Sequence, residues 1–413
     1  MDWVIGLYVF MFFFGIYFLL MFILLYRKNK AVLYNYPKPK EFFPITIIVP
    51  VYNEGKEIQR TLQSVVDLEY PSGKKHIVVV DDCSTDDSYS IIKKFAKKHS
   101  NMVVVQTLKN TGNAAGSKNY GLKLAKTPLV GFVDSDSLPN KDSLIKMVGY
   151  FEDDEKVAAV TSRVWVQNNS KNFIEKFQDF DYIVIAWSRK LLDFIGCVYV
   201  TNGPLSIYRH SIVKKINGFD EKNLTEDIEI TWNVLSKGYK TKMSYSTKVY
   251  TNVPSNLKNW INQRVRWNLG GLQTLYKYRS FFFRHTENLF GYFIIGYVFV
   301  SFLFAILGFL LFLRHIYYKA VPYLLSIPYY FQGYNPFRFI KFNPLVTLLF
   351  FFGIIFFLLS LVYYKYASRE SDLKRKNIRT ILIYLFVYRP LYVIPLLLAF
   401  FKLIRRDLRW YTK

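Results

Sequence analysis

An uninterrupted apolar run at the start of the chain limits the available folds more than any other feature. Residues Trp3 to Tyr26 are almost all apolar, and a helix of that length crosses about 30 Å of hydrocarbon. Arg27 and Lys28 follow at once, whereas no basic residue precedes the run. A secretory signal would carry its positive charge before a shorter apolar stretch. We therefore predict a transmembrane anchor over residues 1–30, with the N-terminus outside and the next residues in the cytoplasm.

Apolar segments return near the end of the chain. The candidates are Leu289 to Leu313, Leu345 to Tyr364 and Ile381 to Ile404. Arg389-Pro390 interrupts the last segment, which either crosses with a kink or re-enters. A full crossing would leave Arg405, Arg406 and Arg409 outside, against the positive-inside rule. We predict a C-terminal transmembrane region of two to three spans over 289–413.

Charge is segregated from the apolar segments. The formal net charge is +25, and 52% of the residues are hydrophobic. The basic residues lie largely beside the apolar spans, which favours a membrane surface or phosphate-bearing substrates over nucleic acid. Residues 271–288 mix aromatic and basic side chains and are predicted to form an amphipathic interfacial segment. Cys83 and Cys197 have no metal-like spacing, so neither a zinc site nor a disulfide framework is indicated.

Residues 31–270 show the pattern of a soluble α/β domain. Predicted strands cover residues 45–50, 77–80, 103–105 and 129–133, and predicted helices cover residues 55–68, 84–98 and 114–125. Strands that alternate with helices of ten to fifteen residues indicate a mainly parallel sheet. From Asp142 to Val253 the pattern is less regular, with helical pieces near 171–194 and 227–237. We place this domain in the cytoplasm.

Acidic residues follow two of the predicted strands. Asp134-Ser135-Asp136 ends a buried strand, and ligands of open α/β sheets bind outside the carboxyl ends of the strands. Hard divalent cations prefer carboxylate oxygens, so a cation there could hold a diphosphate. Asp81-Asp82 repeats the arrangement and could accept hydrogen bonds from a base or a ribose. Taken alone, the first motif is more often a solvated turn and the second a helix cap.

Three further motifs carry possible chemistry. Thr225-Glu226-Asp227 opens a helix, where acids are ordinarily favoured by the helix dipole, but one could also serve as a general base. Gln263-Arg264-Val265-Arg266-Trp267 offers arginine for a departing diphosphate and an indole face for a sugar or an apolar acceptor. Taken alone, it would be a basic patch at a membrane. Gly112 to Lys118 has one residue too few between its glycines for a phosphate-binding P-loop, although Lys118 remains a plausible polar contact.

Together these residues resemble the family 2 glycosyltransferases, membrane enzymes with a Rossmann-like GT-A fold. The matching elements are Val49 to Glu54, Asp81-Asp82, Asp134 to Asp136, Thr225 to Asp227 and Gln263 to Trp267, and they occur in the family's order. The layout is similar to processive cellulose, hyaluronan and chitin synthases, and also to ceramide glucosyltransferases. Two departures are visible. Cys83 stands where glycine is usual, and no counterpart of the synthases' gating loop follows Trp267.

The resemblance implies a role for each matched residue. Asp227 is the expected catalytic base, and Asp136 with Asp134 is the expected ligand pair for Mg²⁺ or Mn²⁺. The expected nucleotide-sugar contacts are Pro50, Tyr52, Glu54, Asp81, Asp82, Lys118, Asp134 and Ser135. The expected acceptor and diphosphate contacts are Gly203, Glu226, Gln263, Arg264, Arg266 and Trp267.

The predicted protein is therefore an integral enzyme of the cell membrane with a cytoplasmic catalytic domain. It would transfer a sugar with inversion from a nucleotide-sugar, with UDP as the expected nucleotide, to a growing glycan or a membrane lipid. The two enzyme alternatives are a processive polysaccharide synthase and a single-step ceramide- or polyprenol-type lipid glycosyltransferase. A non-catalytic membrane protein that only binds a nucleotide is the alternative from another class. Expected partners are the donor, the acceptor and the bilayer, but no nucleic acid.

Overall fold

The computed structural model describes residues 3–152, 154–168, 172–286, 288–333, 344–370 and 378–405. Two of the bases that bear on the direction of the last apolar segment, Arg406 and Arg409, lie outside the described residues. Within them, the chain forms an α/β domain built on one sheet and a set of long apolar helices.

Eight strands form a single sheet in the order β3-β2-β1-β4-β7-β6-β8-β5. The strands are β1 (Ile45–Val51), β2 (Lys75–Asp81), β3 (Met102–Gln106), β4 (Leu129–Phe132), β5 (Ser137–Pro139), β6 (Val157–Val166), β7 (Ser206–Arg209) and β8 (Lys240–Thr251). β3, β2, β1 and β4 are mutually parallel, and β6 pairs parallel with β8. β7 runs antiparallel to β4 and β6, and β5 runs antiparallel to β8. The sheet is thus mixed but mainly parallel.

The central strands are buried on both faces, which explains their continuous apolar sequence. All seven residues of β1 are buried, and so are all four of β4. Pro50 is tolerated inside β1 because β4 pairs with that strand only as far as Ile48, so no ladder donor is needed on that side of Pro50. β4 ends at Phe132, which leaves Asp134 at the carboxyl edge of the sheet.

Helices of the α/β domain cover both faces of this sheet. They are α2 (Ile58–Val66), α3 (Ser88–Ala96), α4 (Ala114–Leu124), α5 (Ile145–Val148), α6 (Phe173–Asp193), α7 (His210–Lys215), α8 (Glu226–Ser236) and α9 (Leu257–Lys277). The stretch that looked irregular in the sequence holds β6 and β8, the two longest strands. α9 carries the Gln263–Trp267 element and continues past residue 270, where the predicted domain ends.

Among the described residues, four helical segments are long and apolar enough to cross a membrane, so the chain is a membrane protein. They are Trp3–Val32, Phe290–Tyr318, Leu348–Arg369 and Ile378–Ile404. These segments and the chain between them are divided into seven apolar helices, α1 (Trp3–Asn29), α10 (Ile295–His315), α11 (Val321–Tyr330), α12 (Pro344–Arg369), α13 (Ile378–Ile383), α14 (Arg389–Leu391) and α15 (Val393–Ile404). A π turn, Tyr384–Tyr388, joins α13 to α14, and we call the whole segment Ile378–Ile404 the C-terminal helix.

α1 is the centre of the apolar helices. Ring contacts pair Phe14 with Phe304 and Phe18 with Tyr297, so α10 runs antiparallel to α1. Ring contacts at two levels also show that α12 runs parallel to it. The N-terminal end of α1 and the start of α12 therefore lie on the side of this bundle that is remote from the sheet.

The α/β domain and the apolar helices share one hydrophobic core. Each of three buried tryptophans of the domain is covered by a ring from an apolar segment. Trp187 meets Tyr26 and Tyr363, Trp232 meets Phe290, and Trp260 meets Tyr388, all with ring centroids 5.0–5.5 Å apart. α6, α8 and α9 of the α/β domain therefore pack directly on the apolar segments.

Candidate functional site

The carboxyl ends of β1 and β4 open onto a cleft of about 570 Å³, which we call the first cleft. Parallel strands bring the residues that follow them to one edge of the sheet. The predicted site residues that line it are Pro50, Tyr52, Glu54, Asp82, Asp134, Ser135, Asp136, Glu226 and Arg266. Side chains far apart in the sequence are thus brought together in one place.

A second cleft, of about 630 Å³, adjoins the first. Its walls come from α2, from the segment between β8 and α9, and from α9, which contributes Gln263. The two clefts share Glu54, Ser135, Asp136 and Arg266. A ligand in the first cleft would therefore meet the second at the Asp136 and Arg266 side chains.

Asp81 is fully buried at the end of β2. Its Oδ2 accepts hydrogen bonds from the Ser84 amide at 3.1 Å and from Gln106 Nε2 at 2.9 Å. Its Oδ1 is buried and has no hydrogen-bond partner among the described residues. A buried acceptor without a donor is costly, so Oδ1 is suited to a donor N–H that a ligand brings in.

Asp82 is used differently from its neighbour. Its carboxylate accepts from Thr107 Oγ1 at 2.9 Å, from the Thr111 amide at 3.1 Å and from Thr111 Oγ1 at 2.7 Å. These bonds fix the loop between β3 and α4, which forms one wall of the first cleft. Asp82 therefore shapes that wall, and its carboxylate oxygens already have donors within the protein.

The turn after β1 is held in a conformation that few residues adopt. Asn53 has φ +52° and Cys83, on the facing loop, has φ +58°; glycine accepts this left-handed region most readily. The Asn53 amide donates to Ser84 Oγ at 3.0 Å, which joins the two loops. Glu54 Oε1 accepts from Ser135 Oγ at 2.9 Å, so the same turn is also tied to the Asp134–Asp136 segment.

Lys118 connects the acids of the first cleft. It is only 2% exposed, and its Nζ lies 2.7 Å from Glu226 Oε1 and 3.4 Å from Asp134 Oδ1. α4 and α8 are 100 residues apart in sequence, yet this ammonium joins Glu226 to the carboxylate that follows β4. Lys118 thus faces protein carboxylates and neutralises part of their charge.

The pKa values of the charged groups around Lys118 are shifted in different directions. Burial alone would raise the pKa of Glu226, but the Lys118 ammonium holds it below its ordinary value. Burial raises the pKa of Asp134, because the lowering by Lys118 does not compensate for burial and for the charge of Asp136. Burial also lowers the pKa of Lys118, but Glu226 and Asp134 raise it above its ordinary value and keep it charged.

Asp227 lies beside Glu226 in the first turn of α8 and is half-buried. Burial, followed by the negative charge of Glu226, raises its pKa to about 6. Lys118 lowers that pKa and Asp134 raises it, so the carboxylate is close enough to feel both. An acid with a pKa near neutrality can take up a proton and release it again at physiological pH.

The backbone of Gly203 lies close to the Asp134 carboxylate. A Cβ on Gly203 would lie 2.2 Å from Asp134 Oδ2. Only glycine therefore allows the backbone before β7 to run this close to the carboxylate. Asn202 Oδ1 accepts from an Arg189 guanidinium nitrogen at 2.6 Å. Arg189 was missed in the sequence, where an arginine inside an amphipathic helix gives no sign of its surroundings. Burial lowers the pKa of Arg189, although the charges of Tyr199 and Asp227 act to raise it.

The Gln263–Trp267 element divides between two environments. Gln263 and Arg266 line the clefts. Arg264 is 1% exposed and is directed into the protein, where its NH2 lies 3.3 Å from Asp181 Oδ2. Trp267 is half-buried and lies against the Arg264 guanidinium at 4.1 Å from the ring centroid. Of these predicted acceptor-site residues, Arg264 and Trp267 do not line either cleft of the described structure.

The donor set of the first cleft fits a magnesium-type ion. Within the described ranges, three or more His, Cys, Asp or Glu side chains nowhere cluster as they would in a protein-only metal site. Mg²⁺ is commonly held by one or two carboxylates together with phosphates of the substrate. Asp134 and Asp136, both of which line the first cleft, supply that number of carboxylates.

This arrangement has the parts needed to displace a diphosphate. Two carboxylates can hold a cation, and Arg266, which lines the same cleft, can balance the charge of a leaving group. Asp227, with its raised pKa, can accept a proton from a hydroxyl. Asp81 Oδ1, which has no hydrogen-bond partner among the described residues, can accept from a donor such as the N–H of a heterocyclic base.

Comparison with known proteins gives the same picture. Residues 46–216 match the family described as glycosyl transferase family 2. A probable glycosyltransferase, YdaM, of Bacillus subtilis (strain 168) is 25% identical over 389 residues, which are 90% of this chain and 87% of YdaM. A poly-β-1,6-N-acetyl-D-glucosamine synthase of Staphylococcus aureus (strain COL) is 30% identical over 239 residues, 58% of this chain. The aligned part is 56% of the synthase's own length.

The fold is also found among solved structures. A mannosyltransferase from Pyrobaculum calidifontis, solved with GDP-mannose and Mn²⁺, superposes with a TM-score of 0.58 at 21% identity. The superposition covers 82% of this chain and 94% of that one, and it confirms the predicted GT-A fold. The chain thus carries a glycosyl transferase family 2 domain match over residues 46–216, and both its relatives and its fold are those of known glycosyltransferases.

Proposed function

We propose that the enzyme transfers a sugar with inversion from a nucleotide-sugar, with UDP as the nucleotide, to a hydroxyl of a growing glycan at the membrane. The observation that carries this proposal is the Lys118 bridge from Glu226 at 2.7 Å to Asp134 at 3.4 Å. It joins Glu226, the neighbour of Asp227, to the carboxylates that follow β4, which supports a base placed beside the diphosphate site. Asp227 itself is not among the residues that line either cleft.

Each side chain has a separate task in the proposed reaction. The base of the nucleotide lies towards β2, where Asp81 Oδ1 accepts its ring N–H. Asp134 and Asp136 would hold Mg²⁺ or Mn²⁺, which supplies electrostatic stabilisation of the diphosphate. Asp227 takes the proton of the acceptor hydroxyl as its oxygen bonds to the anomeric carbon, and Arg266 faces the leaving diphosphate.

A polysaccharide is the first product to test. The relative from Staphylococcus aureus is named for a polymer of N-acetylglucosamine, and it is 30% identical to this chain. The alignment spans 56% of that synthase, and we propose the same class of product, a polysaccharide, for this chain. UDP-N-acetylglucosamine is accordingly the first donor to test.

A single transfer to a lipid is the second candidate. Leu224 precedes the acids of α8 and packs with Val265 and Leu269 of α9 against Ala399 of the C-terminal helix. An apolar membrane element therefore reaches within two residues of Glu226. That position would suit a lipid whose polar end enters the pocket beside Asp227.

Release of nucleoside diphosphate from a panel of nucleotide-sugars tests the proposal. The purified full chain in detergent should release UDP from one UDP-sugar only when Mg²⁺ or Mn²⁺ is present. Asp227→Asn should abolish release and leave nucleotide affinity within about twofold, because the base does not hold the nucleotide. Asp220→Asn, at a surface carboxylate paired with Lys277, is the matched control and should remain active.

Two results would end the proposal. The first is no release from any donor, and the second is full turnover by Asp227→Asn. The length of the product on a gel or by mass spectrometry then separates the candidates. A ladder of sugars supports a polysaccharide synthase, whereas one added sugar on a lipid supports the second candidate.

We also propose an orientation in the cell membrane. α1, α10 and α12 cross, the N-terminus lies outside, and the α/β domain lies in the cytoplasm, because Arg27 and Lys28 lie in the last turn of α1. The C-terminal helix lies in the interface instead of crossing. Its buried tyrosines and Ala399 touch α6 and α9 of the α/β domain over residues 384–399, or roughly 24 Å. The residues that remain are too few for a crossing.

A further inference from the structure

A buried carboxylate outside the clefts joins the α/β domain to the C-terminal helix. Asp181, in the middle of α6, is 1% exposed. Its Oδ1 accepts from Tyr384 OH at 2.6 Å, and its Oδ2 accepts from Tyr392 OH at 2.6 Å and from Arg264 NH2 at 3.3 Å. Three donors from two other helices therefore converge on one side chain.

The donors from the C-terminal helix lie on one helical stripe. Tyr384, Tyr388 and Tyr392 are four residues apart, so they project from the same face. Tyr388 continues the contact, because its hydroxyl accepts from Trp260 Nε1 of α9 at 2.9 Å. The three tyrosines thus bind α6 and the start of α9 through hydrogen bonds as well as through apolar packing.

Arg264 links Asp181 to the part of α9 that lies beside the clefts. Its guanidinium is fixed on one side by Asp181 and stacks on Trp267 on the other, at 4.1 Å. Tyr392 lies over the same guanidinium at 5.3 Å. Arg266, which faces both clefts, lies between Arg264 and Trp267 on the same turn of α9.

We propose that Asp181 is a positioning residue that clamps α9 to the C-terminal helix and so holds Arg266 of α9 in its place at the two clefts. Asp181 does not touch the reacting atoms. The inference rests on the proposed transfer reaction for its catalytic consequence. Its structural part concerns the position of α9 and is independent of which donor the enzyme uses.

The test compares Asp181→Asn with Asp193→Asn in the full chain in detergent. Asp193 is a matched control, because it is also buried on α6 and paired with a base, Lys190 at 2.8 Å, but does not contact α9 through that pair. Asp181→Asn leaves Arg264 buried without its carboxylate. It should lower kcat about tenfold to a hundredfold, because a small misplacement of positioning groups has effects of that size.

The pattern of the defect distinguishes positioning from loss of stability. In Asp181→Asn the nucleotide affinity should stay within about twofold of wild type, and the share of donor lost to water instead of the acceptor should rise. Asp193→Asn should lower the unfolding temperature without changing that share. Tyr384→Phe with Tyr392→Phe keeps both rings and the Asp181–Arg264 pair, and should shift the share in the same direction by less.

Backbone hydrogen exchange across Leu257–Lys277 provides a readout that needs no turnover. Exchange should accelerate in Asp181→Asn and in the double tyrosine variant, but not in Asp193→Asn. Wild-type exchange rates in both Asp181→Asn and the tyrosine variant would overturn the clamp, even if the wild-type enzyme proved inactive. If Asp181→Asn fails to fold, the tyrosine variant decides: an unchanged exchange rate and an unchanged share of hydrolysis refute the proposal.

Discussion

Replacing Asp227 with asparagine should stabilise the protein while it removes activity. The folded-state pKa of Asp227 is raised from 3.8 to about 6 by burial and by Glu226. Above pH 6 the folded protein therefore carries a charge that it disfavours relative to the unfolded chain. Each pKa unit corresponds to about 1.4 kcal/mol, so a rise of about two units costs at most about 3 kcal/mol.

The expected gain is smaller than this limit. Asp227 is half-buried and water in the pocket screens part of its charge, so we expect about 1–3 kcal/mol from Asp227→Asn at pH 7.5 without ligand. For a protein of this size, that corresponds to a rise of roughly 1–3 °C in unfolding temperature in detergent. The gain should fade as the pH drops through 6 and vanish below about 4, where the native carboxyl is protonated in both states.

Asp220→Asn should have the opposite sign. Burial would raise the pKa of Asp220, but its hydrogen bond from Lys277 at 2.7 Å and the positive charge there hold it below its ordinary value. Its charged form therefore stabilises the folded protein above the unfolded-state pKa, and this contribution is lost as the pH falls. Removing it should lower the unfolding temperature at pH 7.5.

The same assignment fixes the acid limb of the pH–rate profile. A base must be deprotonated to act, so kcat should rise with pH through about 6 and level off near pH 7. Thermal unfolding of the ligand-free wild type and both variants at pH 4 to 8 checks the stability sign. An unfolding temperature for Asp227→Asn that falls as far as that of Asp220→Asn, or an acid limb near pH 4, would refute the reasoning.

Three shorter predictions concern other sites. Gly203→Ala should weaken metal-dependent nucleotide binding at least about tenfold by calorimetry, because the new Cβ would displace the Asp134 carboxylate. Gly296→Ala is the control and should bind normally, because a Cβ there would meet nothing within 4 Å. Equal affinities of the two variants would contradict this prediction. Cys83→Gly should raise the unfolding temperature and leave kcat unchanged. At φ +58° a residue with a side chain is destabilised by about 1 kcal/mol relative to glycine. A lower unfolding temperature would show that packing of the Cys83 thiol contributes more to stability than this strain. A fluorescent reporter fused after the last residue should be found on the same side of the membrane as the α/β domain, and a reporter on the opposite side would show that the C-terminal helix crosses.

Much of the site follows from strand order, which the sequence makes visible. Asp81 and Asp134 end apolar strands, and a parallel sheet brings such ends to one edge. The helix period also separates Gln263 and Arg266, which share a face, from Arg264, which lies about 100° away. That period could have predicted that Arg264 faces the protein.

Other contacts have no local signal. Asp181 finds its partners at Tyr384 and Tyr392, more than 200 residues later, and Arg189 finds Asn202 on another element. Their polarity within a helix is compatible with many surroundings. β6 and β8 were missed for a similar reason, because they pair with each other outside any regular βαβ unit.

The tryptophans that rest on membrane-side rings make the catalytic unit and its anchor one folding unit. Trp187 and Trp260 would be left bare if the apolar helices were cut away, so a shortened soluble version should aggregate. Exchanging the anchor for that of a relative should fail unless α6 is exchanged with it. Bilayer thickness, by tilting the helices against these indoles, would then become a variable to which the enzyme's rate responds.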